Sequence, residues 1–431
     1  MERMKTYVIQ DGAIIPSYIE QIFKDCFEYN DIQILGKEYI CQFTGFVINQ
    51  EQLLVSFPKH YFNKNQIEGG KFTGSKIELN NHMNLLFSTI RKAALKKSDR
   101  AIGISDDVNS HYPFEAFFYI YDYYKSYGLY TNELERHKFS YSGKISWKKT
   151  IEKSPMVISE NNLVYLPVVV KEKYNEHVFL TKCMAYVIDS TIDRFSLFIN
   201  LKRTDFEYRD INFNNTKLIV NRLREIGQTI FKDIDKGLIM ALITFFDNER
   251  YSSNEIQIKL HSFNLIWEDM VEVYLNKYFS HLESDGVTQK LVFSQTENDK
   301  KYNFKKRLFY PDIRGKRGHR LEPDHFSSFN GDLYLFDSKY YNEVKGLDYK
   351  QVAYYFLLAN RNEHLEQSRV YNALILPTEK NVDLISDKKH FMYNQNFSLD
   401  NKVVHDLTIQ NDASFVIHEC YLDIQDVMRS Y

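Results

Sequence analysis

A chain of 431 residues exceeds what one ordinary hydrophobic core holds, so two or three domains are expected. Its composition, 44% hydrophobic and 26% charged with 32 Tyr and 32 Phe, is that of a folded soluble protein and excludes a disordered chain. A net charge of −2 excludes polyanion binding through overall charge, so any such contact must come from a local patch or a bound metal.

The opening MERMKTYVIQDGAIIPSY lacks the apolar core of a signal peptide. Residues 39–61 read as two strands joined by Asn49-Gln50-Glu51. Glu68–Lys76 is Gly-rich but lacks the Gly-Lys-Ser/Thr ending of a phosphate loop, so it reads as a polar turn and no bound nucleotide is expected. Residues 114–127 are aromatic and end at Gly128, which suits a helix and its C-terminus. A new unit opens near 142–151, followed by strands around 164–170 and 179–188. Residues 215–246 have a helical pattern without proline. Their apolar end, Gly237–Phe246, is too short for a membrane span and reads as a buried helix. The polar run Asp247–Asn254 is the main boundary. Beyond it, helices are expected at 260–279, 347–360 and 422–430, with strands near 290–294, 320–326, 332–339, 370–376 and 414–420. This gives an α/β (α+β) chain in three parts: an N-terminal α/β region at 1–140, a middle region of strands then helices at 141–250, and a mixed sheet flanked by helices at 251–431. Cys26, Cys41, Cys183 and Cys420 are scattered and form no Cys-x-x-Cys, which argues against a zinc ribbon or disulfide framework and fits a cytoplasmic protein.

The chemistry concentrates in LEPDHFSSFNGDLYLFDSKYY, residues 321–341. In a strand over 332–339, Leu333, Leu335, Asp337 and Lys339 share one face. If 320–326 is the antiparallel neighbour, Asp324 stands across from Asp337. Two adjacent carboxylates resist joint ionisation unless a cation lies between them. Mg²⁺ or Mn²⁺ meets that need, since oxygen ligands and one or two carboxylates suit Mg²⁺. Lys339 would orient or deprotonate a water, or offset charge on a phosphate. The arrangement fits phosphodiester hydrolysis. Asp299/Lys301, Glu343/Lys345, Asp348/Lys350, Asp387/Lys389 and Asp400/Lys402 share the Asp/Glu-x-Lys spacing but lie in polar tracts typical of solvated loops or helix faces. Pro311-Asp312 competes with Pro323-Asp324 for the first carboxylate; Asp324 is preferred because it is closer to the second strand.

Between 300 and 320 nine Lys or Arg face a single acid, Asp312. Lys305, Lys306, Arg307, Arg314, Lys316, Arg317 and Arg320 are therefore candidates for contacting DNA phosphates and steering them toward the carboxylates. Tyr302, Phe304, Phe309 and Tyr310 are interleaved and suit stacking on unpaired bases.

Pro323-Asp324…Asp337-Ser338-Lys339 resembles the signature of the PD-(D/E)XK nuclease superfamily. Upstream, 263–275 is similar to the helix that precedes the core there and often carries an acid facing the metal. Glu268 is the candidate, with Glu272 one turn later as the substitute. Downstream, Gln351-Val-Ala-Tyr-Tyr355 is similar to the Gln-x-x-x-Tyr helix of RecB-like nucleases, which implies that Gln351 and Tyr355 position DNA. More narrowly, FTGFVINQEQLLVSFPKHY (43–61), GKISWKKTI (143–151), IWEDMVEVYL (266–275) and the catalytic stretch resemble LlaJI-type restriction endonucleases, related to McrC. The resemblance implies a restriction-endonuclease-like core and a metal-dependent DNA endonuclease of bacterial defence, with double-stranded DNA as substrate. It also implies an AAA+ GTPase or ATPase of the McrB type as motor, and leaves room for self-association to cut both strands. A non-catalytic DNA-binding or activator subunit that keeps the nuclease fold is the alternative, and RNA is not excluded by the chemistry.

Overall fold

The computed structural model describes residues 4–98, 108–110, 112–159, 162–176, 178–249, 255–284, 289–294, 296–297, 302–312, 314, 320–341, 344, 346, 348–359, 370–379, 388–392, 397–399, 402–404 and 416–431. The chain has an α/β fold and divides into two units, Met1–His111 with Ser253–Tyr431, and Tyr112–Ser252. Among the described residues no helix is long and apolar enough to cross a membrane.

The first unit is built on two five-stranded sheets. One runs in the order Lys5–Gln10, Gln52–Phe57, Thr44–Asn49, Glu255–Leu260, Val108–Ser110. The expected hairpin in 39–61 is its centre, Thr44–Asn49 antiparallel to Gln52–Phe57, with Gln50 at a φ of 54° in the turn. The expected division falls at 140 and 250, and the compact units divide at 111 and 252. Glu255–Leu260 pairs antiparallel with Thr44–Asn49, so the N-terminal sheet needs a strand from beyond residue 250. A long-range pairing of this kind leaves no local signal in the sequence. Gly45 permits it: a Cβ there would lie 2.0 Å from the Ile258 carbonyl oxygen, and its φ is +148°.

The other sheet runs His325–Phe329, Asp332–Ser338, Val370–Thr378, Val416–Asp423, Lys388–Met392. It is mixed: the first pair and the last are antiparallel, the two central pairs parallel. Helices Phe263–Tyr278, Tyr349–Ala359 and Ile424–Ser430 form where the apolar spacing predicts them. The strand expected at 320–326 instead spans His325–Phe329. Asn330 and Gly331 both have positive φ, 51° and 88°, and close a two-residue hairpin that pairs Phe329 with Asp332. That turn fixes where the strand lies. Tyr302 and Phe304 are not available to stack on bases. They are buried against Phe279, Tyr334 and Phe336 in the core under this sheet.

The second unit contains a three-stranded sheet, Lys144–Ile145, Val168–Glu176 and Asn132–Ser140, and helices Phe114–Tyr127, Phe179–Arg194, Thr216–Gly227 and Asp233–Glu249. The strand expected at 179–188 is thus a helix. Leu180, Cys183, Met184, Val187, Ile188 and Thr191 are all buried, a 3.6-residue period that a reading based on β-branched content overlooks.

Candidate active site

The Asn330-Gly331 turn sets the register of the hairpin that carries Asp324 and Asp337. His325 lies opposite Phe336, so the next position outward sets Asp324 beside Asp337. The strand Asp332–Ser338 is buried on both faces because a neighbour covers each. Leu333 and Leu335 pack with Phe326 and Tyr354, and Tyr334 and Phe336 pack with Phe279 and Phe304. Asp337 therefore ends a sealed apolar row and is only 3% exposed. Asp324 is tied to the same strand end, its Oδ2 accepting from the Ser338 N–H at 3.1 Å. The Lys339 N–H donates to the Ile375 carbonyl at 2.8 Å, which fixes the start of that side chain. Lys339 Nζ then pairs with Asp337 and, at 2.9 Å, with Asp348.

The helix Phe263–Tyr278 brings Glu268 to the same place. Trp267 is fully buried beside it, and its indole N–H donates to the Ile375 carbonyl, locking the helix to the sheet. Lys306 reaches in from the basic tract. Its Nζ lies 3.5 Å from Glu268, 3.7 Å from Asp324 and 4.0 Å from Glu322. These groups line one cavity of about 760 Å³.

The electrostatics are those of too many acids for the cations at hand. Burial, and then the Asp324 charge, push Asp337 up to about 7 despite Lys339. Burial and the Glu268 charge raise Asp324. Burial also raises Glu268, against the pull of Lys306. Burial alone would lower Lys306 and Lys339, but the surrounding carboxylates carry both above the ordinary lysine value. His325, sealed beneath and hydrogen-bonded to Ser338 Oγ at 2.7 Å, is pushed down to about 3 by burial and by Lys306, so it stays neutral.

Glu268, Asp324, Asp337 and Lys339, drawn from three places in the sequence, are thus brought together. Glu272 lies outside the lining. Asp312 is committed elsewhere: Arg314 binds it with Nε at 3.0 Å and Nη2 at 2.9 Å. Arg320 lines the cavity and pairs with Glu322 at 3.2 Å, while Arg307 lies over the rings of Phe309 and Phe326. Lys305 is exposed, and its backbone pairs with Phe326 at the sheet edge. Lys316 and Arg317 lie outside the described residues. Along Tyr349–Ala359, Lys350, Ala353 and Tyr354 line the cavity. Gln351 and Tyr355 share another face. Gln351 is fully buried, and Tyr355 packs with Leu374, Leu376 and Ile417. Sequence reasoning set Asp348 aside as solvated and passed over Glu322. The adjacency of Glu322 to Pro323-Asp324 was a usable signal, whereas the Asp348–Lys339 contact arises only from the fold.

Among the described residues no group of three or more His, Cys, Asp or Glu side chains is already gathered around a point that could hold a metal. The donor chemistry nonetheless fits a hard divalent cation. Asp324, half-buried, and Asp337, buried, are adjacent oxygen donors that destabilise one another as anions. The Lys306 ammonium already supplies positive charge between Glu268 and Asp324.

No curated protein matches the sequence. In structure the chain is similar to a chain of the refined half-complex from the tetradecameric assembly of Thermococcus gammatolerans McrB AAA+ hexamers with bound McrC. Identity is 9%, coverage is 99% of this chain and 98% of that one, and the TM-score is 0.35, too loose an overlap to establish a common fold. The sequence profile of the LlaJI restriction endonucleases matches residues 43–394, most of the chain, and the protein belongs to that family.

Proposed function

We propose that this chain is a divalent-cation-dependent DNA endonuclease subunit that hydrolyses phosphodiester bonds. The observation that carries the reading is the Asp324–Asp337 pair, the second carboxylate buried and held by Lys339, at the floor of an open cavity. Asp324 and Asp337 would hold Mg²⁺ or Mn²⁺, with Glu268 as the third acid. When bound, the ion supplies positive charge at the scissile phosphate and lowers the pKa of the attacking water. Lys339 Nζ, held by Asp337 and Asp348, orients that water or offsets charge growing on the phosphate. Lys306 and Arg320 bring cationic charge to the cavity mouth, where a phosphate backbone would enter.

We extend the reading to an AAA+ NTPase partner of the McrB type, on the strength of the sequence resemblance to McrC-related nucleases. The Gly-rich Glu68–Lys76 segment, read as a polar turn, is a small hairpin, Ile67–Glu68 against Lys71–Phe72, turned at Gly69 and Gly70. The test is plasmid DNA with Mg²⁺, wild type against Asp337→Ala, with and without a McrB-type protein and GTP. Cleavage by the wild type alone, stronger with the partner, is expected. Equal cleavage by Asp337→Ala would remove the assignment.

A further inference from the structure

The catalytic cavity has a second wall, built by the other five-stranded sheet and carrying a charge network that the hydrolytic groups do not use. Asp31 ends the short turn Tyr29–Asp31 and is 0% exposed. Lys259, on the strand Glu255–Leu260, is also 0% exposed. Its Nζ pairs with Asp31 Oδ2 and donates to the Cys26 carbonyl at 2.7 Å, and it lies 5.6 Å over the Phe43 ring. The Glu28 N–H donates to the same carboxylate at 2.6 Å. Asp31 is thereby neutralised from within the core. Its other oxygen, Oδ1, holds His261 Nε2 at 2.8 Å.

His261 is 27% exposed and lines the cavity. A buried carboxylate that accepts from Nε2 fixes the ring's tautomer and orientation, and leaves Nδ1 as the nitrogen free to meet a ligand. Lys59 lies on the same wall. Its backbone N–H donates to Tyr340 Oη at 2.7 Å, and Tyr340 directly follows Lys339. The wall is therefore tied by a hydrogen bond to the residue next to the proposed catalytic lysine. Asp11 is the acid of this wall. Its carboxyl, raised by burial, is 4.0 Å from Lys59 Nζ.

We propose that His261 and Lys59 form a second phosphate subsite, taking a backbone phosphate near the scissile one, with Asp31 and Lys259 as positioning residues. The proposal rests on the nuclease reading above. An anion spanning the cavity meets Lys339 and Lys306 on one wall and His261 and Lys59 on the other. The ring binds phosphate through an Nδ1–H. Asp31, Asp11 and Lys59 are the charged groups around it.

The test is fluorescence anisotropy with a labelled DNA duplex in EDTA, so that nothing is cleaved, over a salt titration. Steady-state cleavage in Mg²⁺ runs in parallel, with thermal melting to show that each variant is folded. His261→Gln is expected to weaken binding about tenfold and to reduce the slope of log affinity against log salt by about 0.9, one phosphate contact. KM should rise more than kcat falls. His261→Arg, which keeps a donor cation, is expected to restore most of the slope, which a merely structural histidine would not allow. If the wild type cleaves DNA while His261→Gln keeps its affinity and slope, the subsite is wrong and the nuclease reading stands. If the wild type neither binds nor cleaves DNA, both fall.

Discussion

The two sheets of the first unit each bury a carboxylate beside a lysine, and the two pairs behave in opposite ways. Around Asp31 the arrangement is closed. Burial alone would raise its carboxyl, but His261, the Glu28 N–H and Lys259 outweigh that and hold it below its usual value. Around Asp337 the arrangement is open. Burial and Asp324 raise it to about 7 even with Lys339 in contact. The difference lies in the neighbours: a lysine, a histidine ring and a backbone donor converge on one acid in the first case, while acids crowd one another in the second. A satisfied network serves the fold, and an unsatisfied one at the floor of a cavity is poised for a ligand that brings positive charge.

The largest effect expected from this contrast is on activity. Lys339→Ala should lower the cleavage rate by about 10³-fold, the scale of removing a transition-state donor, measured by plasmid nicking under single-turnover conditions. Lys259→Met should act chiefly on stability, and on DNA affinity through Asp31 and His261, with little effect on the cleavage step itself. Breaking a fully buried pair costs about 3–5 kcal/mol, to be read from urea unfolding. Asp337→Asn should do the reverse in EDTA, raising stability by about 1–2 kcal/mol as relief of stored repulsion at a functional site. If both substitutions destabilise alike, the contrast between the two clusters is lost.

The pH dependence sharpens the same comparison. A folded-state pKa raised to about 7 means that the native state holds the Asp337 proton more tightly than the unfolded chain. The contribution is fully present below the ordinary carboxylate pKa and is lost as pH rises through about 7. Asp31, lowered, contributes stability that is present above the ordinary carboxylate pKa and lost only as pH falls through its own lower value. In unfolding curves in EDTA, Asp337→Asn should therefore flatten the decline between about pH 4 and 7, whereas a change confined to more acidic pH would contradict the assignment. The smallest effect concerns Lys306, whose ammonium stands among three acids. Lys306→Met should tighten Mn²⁺ binding by about tenfold in the absence of DNA, read by isothermal titration. Weaker binding would mean that Lys306 supports the cation rather than competing with it.

Much of the Asp324–Asp337 hairpin is legible in the sequence because its determinants are local. The alternation Leu333, Leu335, Asp337, Lys339 and the Pro-Asp upstream specify a strand with a charged end. The first strand was placed a few residues early, because the controlling feature was the Asn330-Gly331 turn rather than the apolar run. Glu268 was reachable through its helix. Asp348, Glu322 and Lys306 become partners only when the sheet, the basic tract and the helix are assembled, as the Lys306 contacts show. The Asp31–Lys259–His261 network joins positions more than two hundred residues apart through the pairing of Glu255–Leu260 with Thr44–Asn49, so no window of sequence contains it.

The central claim is that Asp324 and Asp337 share one divalent cation, and Mn²⁺ binding followed by electron paramagnetic resonance without DNA tests it directly. The account predicts one bound ion in the wild type and a loss of about 100-fold in affinity for either Asp324→Asn or Asp337→Asn. Unchanged Mn²⁺ affinity in both variants would contradict it.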